Sequence, residues 1–427
     1  MNNVATPDLY CPFPAKLNQY VKQAEEHTNE WVIKLNLLHN EAAYKNFYAA
    51  KFFQLAAYFF ADAPLEELKI VTDWSSWLFI WDDQCDMFDL GEKPDLLNSY
   101  QTRLIEVLKG DEPNITDVPI AWALSDIRRR ILLKASPEWF NTFIQVIENY
   151  FEGCIWEANN RAQQQIPDVD TYTKKRLDTG GVYSIFKLLE FTQRIFLPET
   201  VQENFVVKEL GKIANNVICW SNDIFSLPRE MKQGDFHNLV LAIKHQHELT
   251  LDQSMREAVR MHDAEVQRFL DLELNLPEFG EEIDIQLNHY ISGIRYSMGG
   301  HLDWYIDTNR YQAKGCLAAT EMANPSPKSE ITISKSDKNF SKNHSQVGSP
   351  NSKKVVSQLA NNPLPKLNQV SFAKNSLPKL NEVSSTKNPS PKLNEVSPAK
   401  NPSPKLNDIS STKNPSPKLN EVSEVKQ

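Results

Sequence analysis

Two short stretches carry oxygen donors at helical spacing. In WDDQCD, Asp82 and Asp86 stand four apart with Asp83 between them, so a helix would gather all three carboxylates on one side of a turn. Like charges that close repel, and the arrangement costs stability unless cations neutralise it. Carboxylate oxygens suit hard ions such as Mg²⁺ or Mn²⁺, so Cys85 between them reads as a spacer and not as a thiolate ligand. In NDIFSLPRE, Asn222, Ser226 and Glu230 stand at i, i+4 and i+8. An amide, a hydroxyl and a carboxylate on one stripe form a half-shell for one hard cation. Taken alone, each stretch also fits a solvated polar helix face. Two oxygen-donor clusters on separate helices are much harder to ascribe to chance. Pro228 within the second is expected to bend its helix or end the regular bonding there.

The elements that must position these donors read as helices nearly throughout residues 17–317. AYKNFYAAKFFQLAAYFFAD places Tyr44, Phe47, Tyr48, Phe52, Leu55 and Phe59 at three- to four-residue steps, an aromatic helix face. The runs from Thr142 and from Leu210 repeat that period. Alternating period-two runs are scarce, and only 13 glycines serve the whole chain. The expected class is all-α, with ten or more helices and short loops. No GxGxxG or GxxxxGK[ST] occurs, which argues against a nucleotide cradle.

Composition divides the chain in two. From Cys316 onward 16 Lys face 8 Asp or Glu, a net of +8, so residues 1–315 carry −17 of a total of −9. An acidic body excludes nucleic acid as the main partner and suits divalent cations. The five cysteines are scattered, without CxxC pairs or zinc spacing. No signal-peptide pattern and no 18-residue apolar window is present, so a cytoplasmic protein without a transmembrane segment is expected. After about Glu321 the chain turns to Ser, Asn, Lys and Pro. PKLN then recurs from Pro365, Pro378, Pro391, Pro404 and Pro417, a 13-residue period. Each copy carries too few apolar residues to bury a face. Residues 318–427 are expected to be a disordered repeat tail, with a docking site for a tail-binding partner as the alternative.

The ordered motifs resemble those of bacterial class I terpene synthases over roughly residues 10–315. Asp82, Asp83 and Asp86 match the aspartate-rich motif, and Asn222, Asp223, Ser226 and Glu230 match NDxxSxxxE. Arg176 in KRLDTGGVY stands where the family's diphosphate-sensing arginine stands, and Gly180 matches its effector glycine at a helix break. Arg310-Tyr311 in WYIDTNRY match the terminal Arg-Tyr pair, and the earlier Arg295-Tyr296 reads as a decoy. The linker position between sensor and effector, often Asp in relatives, is Thr179 here. Residues 1–317 are accordingly expected to be the catalytic domain, a helical bundle around a central apolar cavity.

The chemistry that this resemblance implies is metal-triggered ionisation of a prenyl diphosphate. Three Mg²⁺ ions are expected, with Mn²⁺ able to substitute. The implied ligands are Asp82, Asn222, Ser226 and Glu230, with Asp86 near them and Asp83 paired to Arg310. Arg176, Arg229, Arg310 and Tyr311 are the implied diphosphate donors. A carbocation needs a dry aromatic pocket, for which Phe79, Trp304 and Phe53 are the candidate walls. The substrate expected is farnesyl diphosphate, giving a cyclic C15 terpene of germacrene or selinene type. Geranyl and geranylgeranyl diphosphate stay open as substrates, as does a homodimer. A chain-elongating prenyltransferase would carry a second aspartate-rich motif where NDIFSLPRE stands. A non-catalytic protein acting through its repeat tail is the contrasting class.

Overall fold

Helix starts are written into this chain as side-chain caps. Asn40, Ser136, Asp168, Asn204, Asn238 and Thr250 each accept from a backbone N–H of the turn they precede. Pro94, Pro119 and Pro137 occupy first-turn positions, where a missing N–H costs nothing. The computed structural model describes residues 7–87 and 89–311, apart from the side chains of Asp86 and Met87. The predicted repeat tail and residues 312–317 lie outside the described residues.

Fourteen α-helices follow one another there, and no strand occurs among the described residues. They are α1 (Val21–Lys34), α2 (Glu41–Ala50), α3 (Phe52–Phe59), α4 (Leu65–Met87), α5 (Pro94–Lys109), α6 (Pro119–Leu132) and α7 (Pro137–Gln163). The second half adds α8 (Val169–Thr179), α9 (Val182–Gln193), α10 (Glu199–Gln202), α11 (Phe205–Gln233), α12 (Leu239–His247), α13 (Leu251–Glu273) and α14 (Glu281–Asp307). The expected all-α class holds. Helix α11 packs on α13 and α14, α3 bridges α4 and α14, and α7 lies against α5 and α8. Among the described residues no helix is long and apolar enough to cross a membrane.

The packing refines the sequence reading at three places. The aromatic stretch from Tyr44 to Phe59 is not one helix, because Lys51 adopts left-handed backbone (φ 53°, ψ 44°) between α2 and α3. Across that break Phe52, Leu55 and Phe59 still turn inward, while Phe53 turns to Tyr48, with ring centroids 6.5 Å apart. Phe53 is therefore not among the residues lining the cavity. In α4 the tryptophans are core and not cavity wall. Trp74, Trp77 and Trp81 stack in series and meet Phe143 and Phe151 of α7. The stripe Ser75, Leu78, Phe79 and Asp82 takes the cavity side instead. Finally, α11 runs through Pro228 to Gln233. The proline removes one helix hydrogen bond without ending the element.

Candidate active site

Helices α3, α4, α7, α9, α11 and α14 and the break between α8 and α9 surround a cavity of about 220 Å³. Its walls include Leu55, Phe59, Leu78, Phe79, Val182, Ile185 and Ile218, and its mouth carries Asp82, Arg176, Asn222, Arg229, Glu230, Arg310 and Tyr311. The separate sequence motifs thus meet at one end of one cavity. Phe79 lies flat on Phe52, with centroids 4.0 Å apart. Trp304 does not reach the cavity. It is fully buried, its indole N–H is shared by the carbonyls of Ala50 (3.0 Å) and Lys51 (3.1 Å), and it backs Phe79 from 6.2 Å. A buried indole needs a hydrogen-bond acceptor, and the break at Lys51 supplies two.

Asp83 accepts a two-pronged pair from Arg310, Nη2 to Oδ1 at 2.9 Å and Nη1 to Oδ2 at 3.1 Å, and a third bond from Arg229 at 3.1 Å. The Arg310 guanidinium also sits 5.1 Å from the Phe52 ring and 5.0 Å from Phe79, a cation–π cradle. Burial would raise the Asp83 carboxyl, but Arg310 and Arg229 hold it below its usual range. Asp82 behaves differently. Its side chain is 57% accessible yet faces the confined mouth, and Arg310 Nη2 is 3.5 Å away. Desolvation and the neighbouring Asp83 charge push its carboxyl up, against the pull of Arg310 and Arg229. The side chain of Asp86 is not among those described.

On α11 the two acidic motif residues also part company. Asp223 is buried and saturated by protein donors: Tyr172 OH at 2.6 Å, Leu239 N at 3.0 Å, and Arg176 through Nε at 3.0 Å and Nη2 at 2.8 Å. Tyr172 and Arg176 lie one turn apart on α8, so Asp223 clamps that helix to α11. Arg176 Nη2 also donates to Asn222 Oδ1 at 2.9 Å, and Asn222 Nδ2 donates to the hydroxyls of Tyr305 and Tyr311. Ser226 Oγ is buried without a hydrogen bond of normal geometry, although it lies near enough to Glu230 to ease that carboxyl's ionisation. Asn238 donates to Glu230 at 2.8 Å. Desolvation, then the Asp223 charge, push Glu230 up to about 8. Amide, hydroxyl and carboxyl oxygens share this stripe of α11, and all three are hard donors. These residues fit a hard divalent metal.

The break between α8 and α9 comes at Gly180-Gly181. Gly181 has φ 68°, and a Cβ on Gly180 would lie 2.2 Å from Cys219 Sγ, so both positions need glycine, one for conformation and one for space. Burial pushes the Cys219 thiol up to about 12, so this wall stays neutral. Arg295 pairs with Glu273 at 2.8 Å and neither it nor Tyr296 lines the cavity.

Sequence reasoning missed Tyr172, Tyr305 and His301. Tyr172 was signalled by its i, i+4 spacing to Arg176. Nothing local distinguishes the other two. It also missed the rim group Glu157, Arg161, Asp235 and His237, in which Arg161 donates to Asp235 at 2.8 Å and His237 Nδ1 lies 3.1 Å from the same carboxylate.

Comparisons with known proteins show the family. The family model described as "Terpene synthase family 2, C-terminal metal binding" matches residues 73–268. A protein named germacrene A synthase, from Nostoc punctiforme, is 43% identical over 321 residues, covering 75% of this chain and 99% of the relative. The (+)-T-muurolol synthase of Roseiflexus castenholzii, named as cyclising (2E,6E)-farnesyl diphosphate, is 33% identical over 71% of this chain and 93% of its own. The solved structure of hedycaryol synthase in complex with HEPES superposes with a TM-score of 0.62 at 24% identity, covering 70% of this chain and 98% of that one. The last likeness carries the fold alone. The chain belongs to the bacterial class I terpene synthases.

Proposed function

We propose that this enzyme is a sesquiterpene synthase that ionises farnesyl diphosphate and closes the released cation to a cyclic C15 terpene of germacrene type. The observation that carries the reading is the convergence of Asp82, Asn222 and Glu230 with Arg176, Arg229 and Arg310 on one cavity that also has apolar walls. The names of the 43% and 33% identical relatives favour the C15 substrate.

Asp82 from one side, and Asn222, Ser226 and Glu230 from the other, would hold Mg²⁺, three ions in all, with Mn²⁺ able to substitute. When bound, these ions supply Lewis-acid neutralisation of the diphosphate. The protein's own part is orientation. Arg176, fixed by Asp223, and Arg310 and Arg229, gathered by Asp83, converge with Tyr311 on the position of the leaving group, and Asp86 stands near the first ligand by its motif. Their charge stabilises the negative charge that grows as the allylic C–O bond breaks. Leu55, Phe59, Leu78, Phe79 and Ile185 keep water from the cation, and ring faces attract it without being nucleophiles.

Purified protein with Mg²⁺ and farnesyl diphosphate is expected to release diphosphate and a volatile C15 product, read by gas chromatography with mass spectrometry. Asn222→Ala and Glu230→Ala are expected to lower turnover by about 10²-fold or more with the helical content intact. Failure to release diphosphate from any C10, C15 or C20 substrate would overturn the reading.

A further inference from the structure

We propose that His301 is the base that ends the reaction, its Nε2 taking the proton of the last carbocation and so deciding which olefin leaves. The inference rests on the cyclase reading above. His301 lies on α14 six residues, about 9 Å, before the helix end that carries Arg310. Its ring borders the cavity together with Phe59 and Ile185.

The hydrogen-bond network assigns its tautomer. Ser221 Oγ donates its one proton to the Ile218 carbonyl at 2.9 Å, so towards His301 Nδ1, 3.1 Å away, that oxygen can only accept. Nδ1 therefore carries the hydrogen, and Nε2 keeps its lone pair. Nε2 makes no hydrogen bond among the described residues. His237 also borders the cavity, but its Nδ1 is engaged by Asp235 and its Nε2 by Asn160. His301 is held from behind by Trp304, Tyr305 and Phe59, whose centroids lie 6.1, 4.8 and 6.0 Å away.

Burial, then the neighbouring His262 and Arg176, push His301 down to about 3, so the ring waits neutral at any working pH. A weak base suffices, because a C–H bond beside a cationic carbon is far more acidic than an imidazolium. In the step, that C–H bond breaks, its electron pair fills the empty orbital to make C=C, and the proton bonds to Nε2. The imidazolium then passes its proton to the diphosphate or to water as product leaves. Germacrene-type closure joins the ionised carbon to the distal double bond of the chain and leaves the positive charge on the terminal isopropyl carbon, inside the cavity that His301 borders. The proton taken is therefore a methyl proton of the terminal isopropyl cation, and the product carries an isopropenyl group.

The test compares full-length wild type, His301→Phe and Ser221→Ala with Mg²⁺ and farnesyl diphosphate, reading both diphosphate release and product spectrum. His301→Phe keeps the aromatic ring and removes the base. Expected is that diphosphate is still released while the share of the wild-type olefin falls about tenfold or more in favour of isomeric olefins or alcohol. Ser221→Ala frees the tautomer and is expected to lower that share to a smaller extent. A folded variant of either kind with unchanged product proportions overturns the proposal. So does parallel loss of release and product at constant proportions, the signature of a structural role. If His301→Phe does not fold, Ser221→Ala and His301→Asn decide. A wild type that releases no diphosphate would instead fail the cyclase reading.

Discussion

Gly180→Ala isolates one close contact. The backbone at Gly180 (φ −74°, ψ −13°) accepts alanine without strain, so only space objects. The new Cβ would lie 2.2 Å from Cys219 Sγ and 3.3 Å from the Arg176 carbonyl. Ordinary contact is about 3.5–4.0 Å, so roughly 1.3–1.8 Å must open between the α8–α9 break and α11. Overpacking of that kind costs about 1–3 kcal/mol, and the stiffer unfolded chain returns about 0.4–1. We expect a net loss of about 1–2 kcal/mol in urea unfolding. Activity should suffer more. Arg176 lies one turn before Gly180 and donates to Asn222, itself three residues after Cys219. A shift of about 1 Å between those helices can cost about 10²-fold in turnover. Cys219→Ala removes the obstructing sulfur, so the double variant should recover about 1–3 kcal/mol relative to the sum of the single effects, and part of the activity. Unfolding midpoints and diphosphate release on the four proteins complete the cycle. If the two effects add within about 0.5 kcal/mol, the contact is not what makes glycine necessary.

Two further outcomes follow from the site. Glu230 is pushed up to about 8, and a metal needs its carboxylate, so Mg²⁺ binding must displace a proton below that pH. Apparent Mg²⁺ affinity should then fall as pH falls, approaching tenfold per unit below about 8, and level off above it. Mg²⁺ titrations of diphosphate release across this range check the slope, and a flat profile contradicts the assignment. Removing residues 325–427 should leave turnover largely unchanged, since the 43% identical relative is matched over 99% of its length by 321 residues of this chain. Loss of most activity would assign the repeats a part in catalysis.

Much of the site was legible because its chemistry needs particular atoms at helical spacing. Asp82 and Asp83, Asn222, Ser226 and Glu230 stand out because two oxygen-donor clusters recur on separate helices, although each alone also fits a solvated polar face. The all-α class was equally open to reading, because a 3.6-residue apolar period admits no sheet. Sequence could not place Phe53 or Trp304. Phe53 lies off the face that Phe52, Leu55 and Phe59 share, and Trp304 is drawn into the core by the carbonyls of Ala50 and Lys51 at a helix break that the summed periodicity hides. Nor could it separate Asp82 from Asp83, or Asp223 from Glu230, pairs of like residues in the same motifs.

Those roles were decided by what comes across from other helices. Arg310 and Arg229 take Asp83 and leave Asp82 to the cavity, while Tyr172, Arg176 and the Leu239 amide saturate Asp223, and burial with the Asp223 charge holds Glu230 against ionisation. The sequence determined which donors exist and which helix faces they share. Tertiary structure decided which of them are already satisfied, because a buried polar group's partners come from segments far away in the chain.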